Sequence, residues 1–392
     1  MKKIIASIIA LTAIIQNVNG QTPSFGWAKQ FGGSSGYTQG YRVGTDASGN
    51  VYSSGLFMPS ADFDPGPNVF NLTITGAPPG NFYVSKLNAS GNFVWAKRLD
   101  DSLFVSSIAV SDAGNVLIMG IFGGTVDFDP GAGVVNRTAD YNYQSTFILK
   151  LNSSGLFVWV DVFDLTGPGA GSAYVETGAG ASIAVDGSEN VYLTGSFVES
   201  ADMDPGAGTF NLAWTNNLDL NDGFLLKLNS SGAFVWAKRF GGLDVDAGHA
   251  VDVDAAGNVY VSGMFGTIAN FDGTLLDAFF GNYFVYKVKS SGAFVWAKAF
   301  GNNQSFTKCI VKLDSKARPC LAGVFKGMAD FDPGAATANL TAIGVNPYMS
   351  KLDSSGNFLW AKCFQVLQTW IYIQLTQMPA MRFIQAVHLA AL

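Results

Sequence analysis

Short runs of alternating apolar and polar residues, each bounded by a cluster of Gly, Asn, Asp or Ser, follow one another along this chain. The clearest unit extends from Trp236 to Val295 and contains the runs that begin at His249, Val259, Tyr283 and Phe294. A period of two is the pattern of a half-buried strand, and the clusters between the runs are typical of turns. The unit therefore predicts four antiparallel strands, arranged as two tight hairpins joined by a longer loop.

The unit recurs, and each copy contains a variant of the phrase Phe-Val-Trp-Ala-Lys. The tryptophans of these phrases lie 60 to 77 residues apart, at Trp27, Trp95, Trp159, Trp236, Trp296 and Trp360. Self-similarity at a fixed period is the signature of a repeat architecture, in which neighbouring units share one core. Five readable repeats lie near residues 27–94, 95–158, 159–235, 236–295 and 296–359.

Four antiparallel strands per repeat predict an all-β fold, a β-propeller of four-stranded antiparallel blades that spans residues 21–364. Sandwich domains need about 100 residues each, so they fit the spacing less well. In a propeller the neighbouring blades cover the faces of each sheet, and the recurring Trp and Phe side chains are therefore predicted to pack between blades. A closed ring of five blades and a ring truncated from a larger one both remain open alternatives.

Composition supports this prediction. Charged residues make up 13% of the chain, against about 25% in typical soluble domains, so little of the chain is expected to face solvent. Only three of the 29 acidic residues are glutamates, and aspartate is the acid that turns prefer over helices. The net charge is −6, without a run of Lys or Arg, which excludes the footprint of a nucleic-acid-binding protein.

The two ends of the chain differ from the repeats. Lys2 and Lys3 precede an apolar stretch, Ile4–Ile15, and this is the form of a secretory signal peptide over residues 1–20. The stretch is too short to span about 30 Å of hydrocarbon, and no later segment is apolar enough to do so. We therefore expect an exported protein, extracellular or at the cell surface, without a transmembrane segment after cleavage.

Residues 365–392 contain neither Gly nor Asp, although the rest of the chain is rich in both. Codons for Gln377 to Ala391 shifted by one base can encode the second-strand phrase of the repeats. We therefore treat this tail as aberrant and as a candidate frameshift product. A genuine C-terminal cap is the competing interpretation, because repeat arrays need capped ends.

The first tight turn appears as Asp46-Ala-Ser-Gly-Asn, Asp112-Ala-Gly-Asn, Asp186-Gly-Ser-Glu-Asn and Asp254-Ala-Ala-Gly-Asn. Gly and Asn occupy positions at which such a hairpin needs a positive φ. The fifth repeat has Asp314-Ser-Lys-Ala-Arg-Pro instead, and a distorted turn is predicted there. The third repeat carries an insertion, Thr166–Ser182, whose Gly-rich composition predicts an exposed loop.

Together these phrases resemble the bacterial SBBP-type β-propeller repeat. The resemblance rests on units of Trp-Ala-Lys, Asp-x-x-Gly-Asn-Val-Tyr, Asp-Phe-Asp-Pro-Gly and Lys-Leu-x-x-Ser-Gly, and it covers roughly residues 25–364. It implies a secreted or cell-surface bacterial protein without an assigned activity, and it carries no catalytic residue over. Five repeats depart from the seven blades that the family's name suggests.

The motif Asp-x-Asp-Pro-Gly lies between the predicted second and third strands. Its acid pairs are Asp62 and Asp64, Asp127 and Asp129, Asp202 and Asp204, and Asp330 and Asp332. Alternate acids at a strand end project to one side and could help to bind Ca²⁺, which takes six to eight oxygen ligands. Asp-Pro-Gly is also good turn chemistry, with Pro fixing φ and Gly supplying a positive φ. Because two carboxylates are few for a calcium loop, a structural turn is favoured, and Ca²⁺ is kept as the candidate cofactor.

No catalytic residue is predicted. His249 and His388 are the two histidines, and they support neither a Ser-His-Asp triad nor a His/Cys metal cluster. Acid pairs could serve a glycosidase, but these pairs follow the repeat, whereas catalytic residues should break it. The three cysteines, Cys309, Cys320 and Cys363, are an odd number for a disulfide framework, and free, mostly buried thiols are expected.

The sequence thus predicts a secreted or cell-surface, non-enzymatic β-propeller that acts as a binding or scaffold module for an extracellular glycan or protein. The alternative is a polysaccharide-active propeller enzyme, a hydrolase or lyase. A purely structural role in a surface layer is a third hypothesis. Product analysis on a glycan array discriminates among them, because the three predict binding, cleavage and neither.

Overall fold

The structure is a computed structural model that describes residues 25–32, 37–74, 81–100, 102–139, 145–163, 181–198, 200–213, 220–277, 283–302 and 308–364, with the backbone of 372–378 and 382–388. All regular elements in these ranges are strands. No described helix is long and apolar enough to cross a membrane. The predicted signal peptide, most of the insertion after Thr166, and the rest of the tail lie outside the described residues.

Alternating apolar positions form the strands that the sequence predicts. In chain order, the strands of the first half are β1 (Tyr37–Thr45), β2 (Val51–Met58), β3 (Ser60–Asp62), β4 (Asn71–Thr73), β5 (Asn81–Leu87), β6 (Phe93–Arg98), β7 (Leu103–Val110), β8 (Val116–Phe122), β9 (Thr125–Asp127), β10 (Asn136–Thr138), β11 (Ser145–Leu151), β12 (Phe157–Phe163), β13 (Ser182–Val185), β14 (Val191–Phe197), β15 (Ser200–Asp202) and β16 (Asn211–Ala213). The strands of the second half are β17 (Asp222–Leu228), β18 (Phe234–Gly242), β19 (Ala247–Val253), β20 (Val259–Met264), β21 (Ile268–Phe271), β22 (Thr274–Asp277), β23 (Tyr283–Val288), β24 (Phe294–Phe300), β25 (Cys309–Leu313), β26 (Pro319–Asp330), β27 (Asn339–Leu352), β28 (Phe358–Cys363), β29 (Tyr372–Met378) and β30 (Arg382–His388).

Within the described residues these strands form five four-stranded antiparallel blades, which makes the chain a β-propeller, as predicted. The blades are β1-β2-β5-β6, β7-β8-β11-β12, β13-β14-β17-β18, β19-β20-β23-β24 and β25-β26-β27-β28. The hairpin β21-β22 of blade 4 also pairs with β18, so the sheet of blade 3 continues to six strands. The first strands of successive blades contact one another in the order β1, β7, β13, β19 and β25, so they are the innermost strands of the ring. The tail strand β29 contacts both β25 and β1, and pairs with β30.

The sequence repeat and the blade differ in phase. From the second repeat onward, each repeat opens on a tryptophan in the last strand of one blade and closes at the start of the last strand of the next, whereas each blade begins at an innermost strand. A repeat therefore spans an interface between two blades. This explains why the repeated residues serve contacts between blades as well as contacts within them.

The apolar core lies between blades rather than within them. One cluster joins blades 1 and 2 through residues such as Tyr52, Trp95 and Phe147, and three further clusters join the successive pairs of blades up to blade 5. A smaller cluster on the first blade contains Phe57 and is covered by Phe31. A single blade could not bury both of its faces, which is why the ring is the stable unit.

The innermost strands of blades 1, 2 and 4 each contain a β-bulge, and each bulge lies opposite a Gly of the second strand of the same blade. The pairing slips at Tyr41 in β1, at Ser106 in β7 and at His249 in β19. At the opposite position in β8, a Cβ on Gly120 would lie 2.0 Å from the carbonyl oxygen of Phe104. Glycine is therefore required there, because only a backbone without a side chain lets the two strands approach this closely.

The first tight turn is held by the carboxylate of its Asp. In blade 1, Oδ1 of Asp46 accepts the N–H groups of Ser48 and Asn50, both at 3.0 Å. The predicted distortion of this turn in blade 5 is wrong. Oδ1 of Asp314 accepts the equivalent N–H groups of Lys316 and Arg318, because Ala317 adopts the positive φ of 55° that Gly takes elsewhere.

A second set of hydrogen bonds, which we call the turn latch, joins each blade to the next. In blade 1, the Nζ atom of Lys86 and the indole Nε1 of Trp95 both donate to the carbonyl oxygen of Ser153, at 3.2 and 3.1 Å. Ser153 lies in the second tight turn of blade 2. The other latches pair Lys150 and Trp159 with Ser230, Lys227 and Trp236 with Ser290, and Lys287 and Trp296 with Ser354.

The latch between blades 2 and 3 is completed by a substitution. Blades 1 and 3 set an Asp and a Tyr near the latch lysine, whereas blade 2 has Ser111 and Leu117 at those positions. Glu189, from the first turn of blade 3, instead pairs with Lys150 at 2.8 Å and accepts from Asn115. Burial acts to raise the pKa of Glu189, but hydrogen bonds from Lys150, Ser111 and Asn115 outweigh it and hold that pKa below its usual value.

The two outermost tryptophans of the series behave differently. Trp27 precedes blade 1 without belonging to a described strand, yet its Nε1 donates to the carbonyl oxygen of Ala89 at 3.0 Å, as the latch tryptophans do. Trp360 in the last strand of blade 5 is 38% exposed, whereas Trp95 is 8% exposed. No described residue accepts a hydrogen bond from Trp360. The recurring aromatic residues are otherwise confirmed as packing between blades.

Candidate binding site at the ring axis

The Asp-x-Asp-Pro-Gly motifs form the turns of short hairpins between the second and third strands of their blades. Asp62 ends β3 and pairs with Asn71 in β4, and the other motifs occupy the same place. The residue between the two acids points into the core, where Phe63, Phe128, Met203 and Phe331 are buried. The motif is therefore anchored by its middle residue.

The acids of the motif hold the turn backbone. Oδ1 of Asp62 accepts the N–H groups of Asp64 and Phe70 at 3.0 and 2.8 Å, and Oδ1 of Asp64 accepts the N–H of Gly66 at 2.8 Å. The same bonds recur in the hairpins of Asp127 and Asp129, Asp202 and Asp204, and Asp330 and Asp332.

The glycine of this motif has a different role from the one predicted. The expectation that it supplies a positive φ is wrong, because Gly66 and its equivalents are not among the positive-φ residues. A Cβ on Gly66 would lie 2.9 Å from Oδ1 of Asp64. Glycine is needed because the carboxylate lies so close to the backbone N–H that it binds.

The calcium hypothesis stays a prediction. Within the described ranges, His, Cys, Asp and Glu side chains do not form a group of three or more that could hold a metal ion. Each motif brings two carboxylates together, and each of these carboxylates already accepts backbone N–H groups.

The ring axis, lined by β1, β7, β13, β19 and β25, brings together side chains that the repeat does not share. Arg42 on β1 donates from Nε to the carbonyl oxygen of Ser106 in blade 2 at 2.8 Å, and from Nη1 to that of Tyr41 at 2.9 Å. Two backbone carbonyls thus fix the plane of the guanidinium group. The residue is half-buried, and β1 is more exposed along its length than β19.

His249 occupies the bulge of β19 and is buried. Its Nδ1 accepts the backbone N–H of Cys309, in the innermost strand of blade 5, at 3.1 Å. Burial, assisted by the positive charge of Lys308, lowers the pKa of His249 to about 3. The imidazole is therefore neutral at physiological pH and its Nε2 carries the proton, because Nδ1 acts as the acceptor.

Lys308 immediately precedes β25 and is half-buried. Burial, with the charge of Arg42 as the second cause, lowers the pKa of Lys308 to about 8. The ammonium group is thus within electrostatic range of both Arg42 and His249. The three residues belong to blades 1, 4 and 5. Blades 4 and 5 are neighbours, and the tail strand β29 contacts both β25 of blade 5 and β1 of blade 1.

Two buried carboxylates lie between blades 3 and 4. Asp222 and Asp246 are each 1% exposed, and a Cβ on Gly241 would lie 2.6 and 2.7 Å from an oxygen of each. Asp246 accepts the N–H groups of Gly242 and Gly266, and Arg239 pairs with Asp222 at 3.3 Å. Burial is the main cause that raises the pKa of Asp246 to about 7.

Sequence reasoning weighed His249 as a packed residue but missed Arg42 and Lys308. A signal was present in the aligned repeats. Lys308 takes the position that Phe104 and Ala247 take in other blades, and Arg42 takes the position of Ser107. In both cases a charged residue stands where the other blades have an uncharged one. This difference becomes visible only when the repeats are aligned by the register of their strands.

Comparison with known proteins agrees with this fold. The family model described as "SBBP: Beta-propeller repeat" matches residues 26–56, which cover the latch tryptophan Trp27, β1 and most of β2. The chain carries an SBBP β-propeller repeat. Outside the matched residues, the same turns and latches recur in the later blades.

Two further proteins are similar to parts of the chain. The "Uncharacterized WD repeat-containing protein L264" of Acanthamoeba polyphaga mimivirus is 24% identical over 247 residues, which are 55% of this chain and 16% of the viral protein. The chain thus spans about one sixth of that relative. A crystal structure of "a protein of unknown function from Bacteroides caccae" has a TM-score of 0.34 and 9% identity, and the match covers 74% of this chain and 92% of that one.

Proposed function

We propose that this SBBP-repeat propeller is an exported, non-enzymatic binding or scaffold module whose ligand site lies at the ring axis. The observation that carries the proposal is a division between repeated and unrepeated residues. The repeated Asp, Trp and Lys side chains bind turn backbones or the neighbouring blade, and this role occupies them. Arg42, His249 and Lys308 have no counterparts at the equivalent positions of the other blades, and all three lie on or directly beside innermost strands.

The ring supplies what a binding module needs. A rigid scaffold with unlike side chains at its centre presents a fixed constellation to a ligand, and the cost of ordering that constellation is met during folding. An extracellular glycan or protein is the ligand class that the proposal favours. Export itself rests on the pattern of Lys2, Lys3 and Ile4–Ile15.

The alternative, a polysaccharide-active enzyme, would need carboxyl groups that a sugar can reach. The raised pKa of Asp246 is a property that general acids share. Both Asp222 and Asp246 are nearly inaccessible, however, and Asp246 is bound by two backbone N–H groups. This geometry favours a structural role for the pair.

A glycan array with product analysis tests the proposed function. The mature chain is applied to the array, and the eluted glycans are examined by mass spectrometry for new ends. Binding without cleavage supports the module, and cleaved ends would replace it with the enzyme. If neither occurs, a protein-interaction screen against surface extracts decides between a protein-binding module and a passive surface component.

Export has its own test. The full gene is expressed in a bacterial host, and the N-terminus of the protein in the medium or periplasm is sequenced. A mature chain that begins near Gln21 supports the proposal, whereas an uncleaved chain retained in the cytoplasm contradicts it.

A further inference from the structure

The segment of residues 25–32 contacts blade 1 in the way that the outermost strand of one blade contacts the next blade. The indole Nε1 of Trp27 donates to the carbonyl oxygen of Ala89, in the second tight turn of blade 1, at 3.0 Å. The latch tryptophans donate to the equivalent turns of the later blades. A Cβ on Gly91 would lie 2.8 Å from Cδ2 of Trp27, and the equivalent glycines of blades 2, 4 and 5 contact latch tryptophans in the same way. Trp27 therefore occupies the latch position of blade 1.

The end of this segment repeats the likeness. Phe31 packs on Phe63 and Tyr83 of blade 1, with ring centroids 5.6 and 6.0 Å apart. The backbone N–H of Gly32 donates to the carbonyl oxygen of Asp62 at 2.8 Å. Blade 4 makes the equivalent ring contacts and the equivalent backbone hydrogen bond with blade 5. The segment is thus placed against blade 1 as the outermost strand of a preceding blade.

The outermost strand of blade 5 lacks such a neighbour among the described residues. Phe364 is equivalent to Phe31 and is 40% exposed, whereas its counterparts Phe163 and Phe240 are 3% and 1% exposed. Four apolar clusters join the successive blades from 1 to 5, and no cluster of the described residues joins blade 5 to blade 1. An apolar face left in water is unfavourable, so this face of blade 5 calls for a covering blade.

Blade 1 cannot cover blade 5 in the way that blade 5 covers blade 4. Its latch carbonyl, that of Ala89, is already bound by Trp27, and its two rings are already covered by Phe31. A further blade position therefore lies between blades 5 and 1. The innermost place of that position is filled, because β29 contacts both β25 and β1. β29 follows β28 along the chain as β25 follows β24, and it pairs antiparallel with β30 as the first two strands of each blade do.

We propose that the ring contains a sixth blade position, between blades 5 and 1, which two distant parts of the chain fill together. The tail hairpin β29-β30 takes the two inner strand places, and residues 25–32 take the outermost place. The uncovered face of blade 5 is then an interface for this composite blade. The tail thereby has the role of the cap that a repeat array needs. This inference is independent of the proposed ligand site at the axis.

Cross-linking between lysines at the same place in successive outermost strands tests the position, in the full mature chain. Lys298 of blade 4 and Lys362 of blade 5 calibrate the experiment, and the shortest amine-reactive spacer that joins them is used throughout. We expect this spacer also to join Lys29 to Lys362, since the two lie in adjacent blade positions. Lys97 of blade 1 is the matched control, because it lies one position further on and should not be joined to Lys362.

Two results of this mapping would overturn the proposal. A link between Lys97 and Lys362 would show that blade 1 directly follows blade 5. Absence of the link between Lys29 and Lys362, while the link between Lys298 and Lys362 forms, would show that residues 25–32 do not lie beside blade 5.

Two further arms examine how the position is filled. In a mixture of ¹⁵N-labelled and unlabelled chains, the link from Lys29 to Lys362 is expected within single chains, and links between chains would assign the position to a second copy. A chain that ends at Phe364 is expected to lose most of that link while it keeps the link from Lys298 to Lys362, which reports that blades 4 and 5 still fold. An unchanged link after removal of the tail would overturn the part assigned to β29 and β30.

Discussion

At the turn latch the same residue types recur in blade after blade, whereas at the ring axis the blades present different side chains. Lys86 and Trp95 have counterparts in the next three blades, and each pair donates to a carbonyl of the following blade. Arg42 and Lys308 have no such counterparts. The difference teaches that the repeated residues build the contacts between blades, whereas the proposed ligand site rests on axis residues that the repeat does not share.

The largest expected effect is the difference in stability lost when a tryptophan is removed from a complete latch and when one is removed from the last blade, where no described acceptor is present. Trp236→Ala removes the indole that fills the interface between blades 3 and 4 and its bond to Ser290. We expect a loss of about 3 kcal/mol in the free energy of unfolding. Trp360→Ala is the matched variant and should cost less than about 1 kcal/mol, because Trp360 is exposed and lacks a described acceptor. Urea denaturation measures both, and equal losses would contradict the latch account.

The next largest effect is a loss of stability at acidic pH that is caused by the buried His249. His249 has a folded-state pKa of about 3, below its ordinary value of about 6.5. The unfolded chain therefore binds a proton that the folded chain does not between those values, so stability falls as pH decreases through this window. Relative to His249→Asn, wild type should lose about 2 kcal/mol between pH 6 and pH 4.

The comparison with His249→Asn isolates this contribution from opposing ones. Burial also raises the pKa of Asp161 and of Asp246 to about 7, and such groups take up a proton on folding, which stabilises the folded chain as pH falls from about 7 towards 4. Both chains contain these aspartates, so their contribution cancels in the difference. Parallel stability curves for the two chains would show that the imidazole is not buried in neutral form.

A smaller effect is expected where the latch has been rebuilt. Glu189→Gln keeps the size of the side chain but removes the ion pair with Lys150, and it should cost about 1 to 2 kcal/mol. Ser188→Ala, at an exposed position of the same turn, is the control and should be close to neutral. If the two variants denature alike, the latch between blades 2 and 3 does not depend on the carboxylate.

The smallest effect concerns the Asp-x-Asp-Pro-Gly hairpins. Since the carboxylates of Asp62 and Asp64 already accept turn N–H groups, we expect the melting temperature to be the same with Ca²⁺ and with chelator. A melting temperature that rises with added Ca²⁺ would instead support the calcium hypothesis for these loops.

Much of the fold could be predicted from the sequence because the same pattern of strands and turns occurs in each of the five repeats. The alternation around Val259 and Tyr283, and the Gly of most tight turns, determine strands and hairpins locally. The blade interface was also predictable in kind, since Trp and Phe recur where a sheet face must be covered. The latch acceptors could not be predicted, because they are backbone carbonyls such as that of Ser153, and every residue type has one.

The candidate site was less predictable. Arg42 and Lys308 are more than 260 residues apart in the sequence, and a local pattern contains no information about their approach. The turn of Asp314 shows a related limit, since the loss of Gly predicted a distortion that Ala317 avoids by adopting the same positive φ. In both cases ring closure or local hydrogen bonds decide the outcome, rather than propensity.

The most direct test of the central claim is a measurement of melting temperature for Lys227→Met and for its matched control Lys316→Met. Lys227 belongs to the latch and donates to the carbonyl and hydroxyl oxygens of Ser290. The account predicts that Lys227→Met lowers the melting temperature, whereas Lys316→Met, at an exposed turn position of blade 5, leaves it unchanged. Equal melting temperatures for the two variants would contradict the claim that the latch holds neighbouring blades together.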